Sequence, residues 1–347
     1  MRESPLKTAV LGLDEAGRFL LEAARGLDLF NITAVADSDT NLAQQFGKLW
    51  NCASYDDYRQ LIMQNQLDCL FAAAPLHTCG EFLRMAIKKK FNIFKLPPLG
   101  RNYGEAAELV KLAAAEEVSL VVANPGRFAP GAIAFKKFML EDPAYQFFFV
   151  LAAATGKTTP DPFSQKWRSD PVLAGGGVVL YDCWEVIDQI VWNFGVPQQV
   201  YCVAGNSAAD SRQRAYLAED SAIITMKFND VLSGAFLAGR AAGTIGEGHQ
   251  NRLTAQGQNV RITLDDKCFE VIDNQGQSLR RVEFDDDWLG RMKKSLENFA
   301  SNLLRPEQNP LVSTAAESLK IMAFIEAVYL SSRTGMPEEP GRILQIA

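Results

Sequence analysis

Thr8-Ala9-Val10-Leu11-Gly12-Leu13-Asp14-Glu15-Ala16-Gly17-Arg18 is the stretch whose reading decides the fold. A short apolar run reads as a buried strand, and a helical pattern over 17–27 follows the glycines at once. The loop stands where G-x-G-x-x-G stands in dinucleotide-binding units, directly after a strand and opening a helix. Glycine serves there for a tight turn, for close backbone approach to a pyrophosphate and for close helix packing. Gly12 and Gly17 are in place, with Leu13, Glu15 and Ala16 between them, but the middle glycine is Asp14. Its side chain brings bulk and negative charge to the phosphate position. It also suits an N-cap, where a carboxylate does internally what a bound phosphate would do. A working nucleotide loop and a weakened or empty one both fit these residues.

Moving outward, Ala34-Val35-Ala36-Asp37 ends a second strand-like run and puts an acid 25 positions after Gly12. At about that spacing a carboxylate accepts hydrogen bonds from the adenosine ribose, and it repels a 2′-phosphate, which favours NAD over NADP. A plain turn residue in Asp37-Ser38-Asp39 is the other reading. Strand-like and helical patterns alternate up to residue 123, and runs such as Cys69-Leu70-Phe71-Ala72-Ala73-Ala74 are continuously apolar. Alternation of this kind means βαβ units and a doubly wound parallel sheet of Rossmann type.

The pattern changes after Asn124-Pro125-Gly126. A helix is expected over 130–140, a polar loop with three prolines from Pro160 to Pro171, and one long helix over 178–194 after Gly175-Gly176-Gly177. Seven strand-like stretches between 199 and 284 then lack intervening helices, which predicts an open, mostly antiparallel sheet. Helices are expected over 288–304 and 314–332. The expected domains are 1–124, a Rossmann-type dinucleotide-binding domain, and 125–347, a substrate and oligomerisation domain, with the last helices free to pack back across the boundary.

The 347 residues are 48% hydrophobic and 22% charged, as in a folded chain rather than a disordered one. Net charge is -6, against a general nucleic-acid binder. No apolar run reaches the roughly 18 residues of a membrane span. The six Cys are scattered without a CxxC pair, so they read as thiols in a reducing cytoplasm. His77 and His249 are the only histidines, so a multi-His metal centre is excluded and no metal is expected. His249 reads as part of an exposed turn.

Further landmarks are Tyr55-Asp56-Asp57-Tyr58, Asp68 through Pro75-Leu76-His77, Arg127-Phe128-Ala129-Pro130, Trp167 ahead of the three glycines, and Ile325-Glu326-Ala327-Val328-Tyr329-Leu330-Ser331-Ser332. In order and spacing, over nearly the whole length, the chain resembles the Gfo/Idh/MocA family, named for glucose–fructose oxidoreductase and inositol dehydrogenase. The resemblance implies hydride transfer between nicotinamide and a hydroxyl-bearing carbon of a sugar or cyclitol. It implies a substrate held between cofactor and second-domain sheet, and a sheet that often forms the oligomer interface. A homodimer or higher homo-oligomer is therefore expected.

The chemical positions depart from that pattern. The family carries Glu-Lys-Pro at a strand end, with Lys as acid/base helper; aligning Pro98-Leu99 puts Leu96 at the Glu position and Pro97 at the Lys position. Proline has no titratable group. Lys95 lies two residues upstream, displaced about 6–7 Å along a strand, and reads as solvated or salt-bridged unless the backbone bulges. The family's Asp and His on the helix after the glycines are Tyr181 and Glu185 here, four apart and so expected on one helix face. Tyr can donate a proton and Glu can act as a base if burial raises its pKa; a re-purposed or blocked cleft, with Trp184 adding bulk, is the competing account. Catalytic candidates are Glu185, Tyr181 and His77. Cofactor candidates are Gly12, Leu13, Asp14, Glu15, Ala16, Gly17, Asp37, Pro75, His77 and Leu96. Substrate candidates are Arg127, Trp167 and Arg168, although an ion pair or helix cap suits Arg127 equally. An NAD-linked oxidoreductase with altered acid/base groups and a non-catalytic relative that binds a ligand or partner are both carried forward.

Overall fold

A computed structural model describes residues 4–141, 146–157, 166–206, 218–241 and 250–345. His249 and most of the proline-bearing loop (158–165) lie outside the described residues. The chain begins β1 (Leu6–Leu11), α1 (Glu15–Ala24), β2 (Phe30–Ala36), α2 (Thr40–Trp50), β3 (Ala53–Tyr55), α3 (Tyr58–Gln64), β4 (Cys69–Ala72), α4 (Leu76–Lys88), β5 (Asn92–Lys95), α5 (Tyr103–Ala115) and β6 (Leu120–Val122). After a 3-10 turn at Pro125–Phe128 come α6 (Pro130–Glu141), β7 (Phe147–Lys157), α7 (Lys166–Ser169), α8 (Pro171–Ala174), α9 (Val178–Tyr181) and α10 (Trp184–Phe194). Strands β8 (Gln199–Gly205), β9 (Ser221–Lys227), β10 (Ser233–Ala241), β11 (Gln250–Gly257), β12 (Val260–Asp265), β13 (Cys268–Asp273) and β14 (Ser278–Glu283) follow. The chain closes with α11 (Trp288–Leu304), α12 (Ala315–Thr334) and α13 (Pro340–Leu344). Two compact units result: residues 1–100, 104–125 and 286–318, and residues 101–103, 126–285 and 319–347.

The first unit holds a parallel sheet of order β3-β2-β1-β4-β5-β6. Register aligns the strand ends, with Leu11 opposite Ala36 and Ala72, Ala72 opposite Lys95, and Lys95 opposite Val122. The residues that follow therefore gather on one sheet edge. Central strands are buried on both faces, which is why β4 is apolar throughout. Phe71 meets Phe30 at 5.1 Å and Phe94 at 5.8 Å between ring centroids. Phe94 also meets Phe299 at 5.5 Å, so α11 belongs to this core. Its buried residues Met292, Leu296 and Phe299 join the cluster that holds Leu20 and Leu21 of α1. Each such side chain contributes about 1.5–3 kcal/mol on burial. The three-residue β3 has two exposed residues and one half-buried, so no hydrophobic alternation announces it.

The second unit holds an eight-stranded sheet of order β14-β13-β12-β11-β7-β10-β9-β8, antiparallel except for β7 with β10. Its inner face (Val150, Ala152, Ile224, Phe236, Ile262, Phe269) is buried. Phe135 of α6 stacks on Phe269 and meets Phe194 of α10 edge-on, at 5.9 Å in each case. Strand alternation sends Phe149, Leu151, Tyr201, Val203, Ile223 and Leu237 to the other side, where they are exposed.

The continuous helix expected over 178–194 is corrected: α9 ends at Tyr181 and α10 starts at Trp184. The Cys183 N–H donates five residues back to Val178 O, and the Asp182 carboxylate turns aside to accept from Arg240 Nε at 2.7 Å. Spacing alone does not register such an interruption.

Candidate functional site

Gly12 has φ +87, and a Cβ there would stand 2.5 Å from Ala74 N. A Cβ on Gly17 would stand 1.8 Å from Gly12 O. Both positions exclude larger residues, so strand, turn and helix close on bare backbone. Asp14 is the N-cap of α1: its Oδ1 accepts from Ala16 N at 3.1 Å and Gly17 N at 3.3 Å. The orphan donors of the helix start are thus met from within the chain. Glu15 is exposed, Ala16 is half-buried, and Leu13 is buried.

Asp37 leaves β2 on the same edge. Its Oδ2 accepts from Leu13 N at 2.6 Å and its Oδ1 from Asp39 N at 2.9 Å. The bond to Asp39 N fits the turn reading of Asp37, and the bond to Leu13 N ties the same carboxylate to the glycine loop. Arg18 folds back, donating from Nε to Leu13 O at 3.1 Å with its guanidinium over the Phe46 ring.

Pro75 occupies the N-cap position of α4, and His77 sits half-buried in that helix's first turn. Beyond β5, Leu96 N donates to Ala72 O, and the Pro97–Pro98 peptide is cis. The structure corrects the expected surroundings of Lys95. The side chain is 3% exposed and makes no ion pair among the described residues, with Nζ donating to Leu96 O at 2.9 Å and Pro98 O at 2.6 Å. Burial lowers its pKa from the ordinary lysine value, opposed by the nearby Cys79 thiol, whose own pKa burial raises. An ammonium bound back onto its own turn is withdrawn from the sheet edge.

In the second unit the helix is interrupted between Tyr181 and Glu185, at Asp182 and Cys183. The Tyr181 hydroxyl donates to Ala174 O at 2.7 Å, and its ring meets Trp167 edge-on at 6.1 Å. The Arg168 guanidinium lies 5.4 Å from both ring centroids. Burial pushes the phenol above its ordinary pKa, against the pull of Arg168, Arg240 and Arg101. The Glu185 carboxylate lies against Gly126, where a Cβ would meet Oε1 at 2.2 Å. Trp184 is core rather than cleft filler, at 3% exposure.

Arg127 takes the ion-pair alternative. It is 1% exposed, donates from Nε and Nη2 to Asp188 at 2.7–3.2 Å, and lies 5.0 Å from the Trp192 ring centroid. Such a guanidinium pins the start of α6 to α10 and is not presented to a substrate. Among the candidates of this unit, the structure brings Trp167, Arg168 and Tyr181 together.

Glu219 escaped the sequence reading. Its carboxylate accepts from Gly177 N at 2.8 Å, Val179 N at 3.0 Å and Tyr329 Oη at 2.8 Å. Burial raises its pKa, and these hydrogen bonds oppose the rise. Its partners lie about 40 and 110 positions away, so no local spacing points to it. Among the described residues no group of three or more His, Cys, Asp or Glu is placed to hold a metal ion. No described helix is long and apolar enough to cross a membrane.

Comparison with known proteins gives this geometry a context. Residues 6–124 match the family model described as oxidoreductase family, NAD-binding Rossmann fold. Residues 151–339 match that of oxidoreductase family, C-terminal alpha/beta domain. No curated protein matches in sequence. Among solved structures, levoglucosan dehydrogenase in complex with NADH and levoglucosan superposes with a TM-score of 0.87 at 16% identity, covering 96% of this chain and 99% of that one. An inositol dehydrogenase homolog from Azotobacter vinelandii, complexed with NAD+, gives 0.86 at 18%, covering 97% and 98%. The WlbA dehydrogenase of Bordetella pertussis, with NADH and UDP-GlcNAcA, gives 0.82 at 15%, covering 96% and 98%. With both domain models matched in order over most of its length, the chain belongs to the Gfo/Idh/MocA oxidoreductase family.

Proposed function

We propose that the protein is an NAD-linked oxidoreductase acting on a carbohydrate-like hydroxyl or carbonyl compound with non-standard proton-transfer groups. The observation that carries this reading is the Asp37 carboxylate fixed 2.6 Å from Leu13 N, beside the bare backbone of Gly12. That pairing fits an adenosine ribose and disfavours a 2′-phosphate, so NAD is the proposed cofactor rather than NADP. The pyrophosphate position fits less well as it stands. The Ala16 and Gly17 N–H groups that would meet phosphate oxygens already donate to Asp14, so a dinucleotide must turn this side chain aside. When bound, NAD supplies the hydride acceptor.

The proton-transfer groups are then drawn from His77, Glu185 and Tyr181. Tyr181, held protonated by burial, is a donor only. Pro97 offers nothing to titrate, and Lys95 is held by two carbonyls. These same observations favour a second reading, a non-catalytic relative that keeps the scaffold and binds a ligand or partner. Fluorescence titration with NADH and NADPH decides between them. NADH binding tighter than NADPH, with cofactor-dependent turnover of a polyol or aldose, supports the first. Absence of binding at millimolar cofactor overturns it.

The assembly proposed is a homodimer through the outer sheet face. Ala153, Leu237, Ile223 and Val203 stand directly opposite one another across β7, β10, β9 and β8. Leu237, Ile223 and Val203 are 47–57% exposed, an apolar row unlike an ordinary solvated sheet face. A reducing cytoplasmic setting is proposed from six cysteines that are all free thiols.

A further inference from the structure

Tyr181 is ringed by three arginines. Arg240 is neutralised, because its Nε and Nη2 hold Asp182 at 2.7 and 2.5 Å. Arg101 has its backbone under Gly175 and donates from Nη1 to Val172 O at 3.2 Å, beside the Ala174 carbonyl that takes the Tyr181 hydroxyl. Arg168 is the unusual member. Its guanidinium lies 5.4 Å from the ring centroids of both Trp167 and Tyr181, which meet each other edge-on, and its Nε is buried without a hydrogen-bond acceptor among the described residues.

A buried guanidinium N–H without an acceptor is costly unless a ligand completes it. Stacking on aromatic faces leaves the planar N–H edge of an arginine available, and that fork matches a carboxylate or phosphate with two parallel hydrogen bonds. The Tyr181 hydroxyl is turned away onto Ala174 O, so its ring, not its oxygen, shapes this place. Trp167 is half-buried and supplies an apolar face of the kind on which a sugar ring lies.

We propose that Arg168, held against Trp167 and Tyr181 and assisted by Arg101, binds an anionic substituent on a sugar substrate, a carboxylate or a phosphate. The substrate class is therefore an acidic sugar rather than a neutral one. This rests on the oxidoreductase reading for the word substrate, but not for the binding itself.

The test is calorimetric titration of the whole protein, without cofactor, with D-glucuronate, glucose 6-phosphate, inorganic phosphate and glucose. At least one acidic compound is expected to bind about tenfold or more tightly than glucose. Whether glucuronate or the two phosphate probes lead identifies the group. Arg168→Gln is expected to abolish the preference, and Arg168→Lys, which keeps the charge but not the fork, to retain a part of it. Arg342→Gln, at an exposed position, serves as the control and leaves it unchanged. Equal affinity for acidic and neutral compounds, no binding of any acidic probe below about 10 mM, or a preference that survives in Arg168→Gln would each overturn the proposal. The wild-type titration decides even if the variants fold poorly. NADH titrated into the same sample separates the two ideas: NADH binding without acid preference sinks this inference alone, and acid preference without NADH binding sinks the cofactor reading alone.

Discussion

The Asp14 carboxylate accepts the backbone N–H of Gly17, three residues on, at 3.3 Å, and that of Ala16, two residues on, at 3.1 Å. Both donors face the position where a Rossmann loop meets pyrophosphate. At about 4 Å and an effective dielectric near 20, one unit of charge repulsion is worth about 4 kcal/mol. Side-chain rotation and salt reduce it to about 1–3 kcal/mol. Asp14→Gly is therefore expected to tighten NAD binding by about ten- to a hundredfold. Stability should fall by only a few tenths of a kcal/mol, because Gly is itself a tolerable N-cap. Parallel NADH titrations of parent and variant check this; equal affinity would show that the carboxylate is no obstacle.

Lys95 gives a pH dependence with a definite sign. Unfolded, it keeps its proton up to about pH 10.4, whereas burial makes the folded chain release it at lower pH. Between those two values the unfolded chain binds more protons, so stability due to this residue rises with pH. The burden of a buried charge is complete below the folded value and fades above it. Lys95→Met removes the titration and leaves Leu96 O and Pro98 O without their donor. Wild type should gain on the variant as pH rises from 7 toward 10, ending more stable by about 1–3 kcal/mol. Urea unfolding at several pH values measures the difference, and a flat difference would count against a buried, titrating Lys95.

The Arg127–Asp188 pair should behave as a buried ion pair does. Arg127→Met leaves a carboxylate 1% exposed without its main counter-ion, at a cost of about 3–5 kcal/mol. Arg127→Met combined with Asp188→Leu should recover most of that loss. Denaturation midpoints of the single and double variants test this, and equal loss in both would mean that packing on Trp192, not charge, is what matters.

Light scattering tests the sheet face. The parent should be a dimer at micromolar concentration, burying more than about 1,000 Å². Ile223→Lys, in the middle of the apolar row, should shift it to monomer without changing the thermal midpoint of the subunit by more than a few degrees. A monomeric parent defeats the proposal outright.

Much of the fold was legible because it is written in periodicities. Continuous apolar runs gave the parallel strands, strand-like stretches without intervening helices gave the second sheet, and glycine at 12 and 17 answered to backbone contacts that no Cβ survives. The family resemblance, carried by ordered motifs, matches the two domain models found. What was not legible depended on partners distant in the chain. Arg127 fitted a cleft, a helix cap or an ion pair equally until Asp188 closed on it, and Lys95 looked solvated or salt-bridged because a strand-end lysine usually is. Tyr181 and Glu185 looked paired because four residues make a helical turn, but the helix is interrupted at Asp182 and Cys183, where the Asp182 carboxylate accepts from Arg240, nearly 60 positions later. Glu219 had no signal, since its three donors come from two remote segments.

The place of α11 in the first core has a consequence for how the protein is made. Phe299 completes the ring contacts begun by Phe30, Phe71 and Phe94, yet it leaves the ribosome some 200 residues after Phe94. At about 5–20 residues per second, the nascent sheet must wait roughly ten seconds or longer with the apolar side of α1 uncovered. During that interval all six strands and the helices interleaved with them exist, but α11, which covers α1, does not. The amino-terminal unit thus cannot mature as synthesis proceeds; it is finished only when residues 288–304 arrive, after the whole second sheet has been translated.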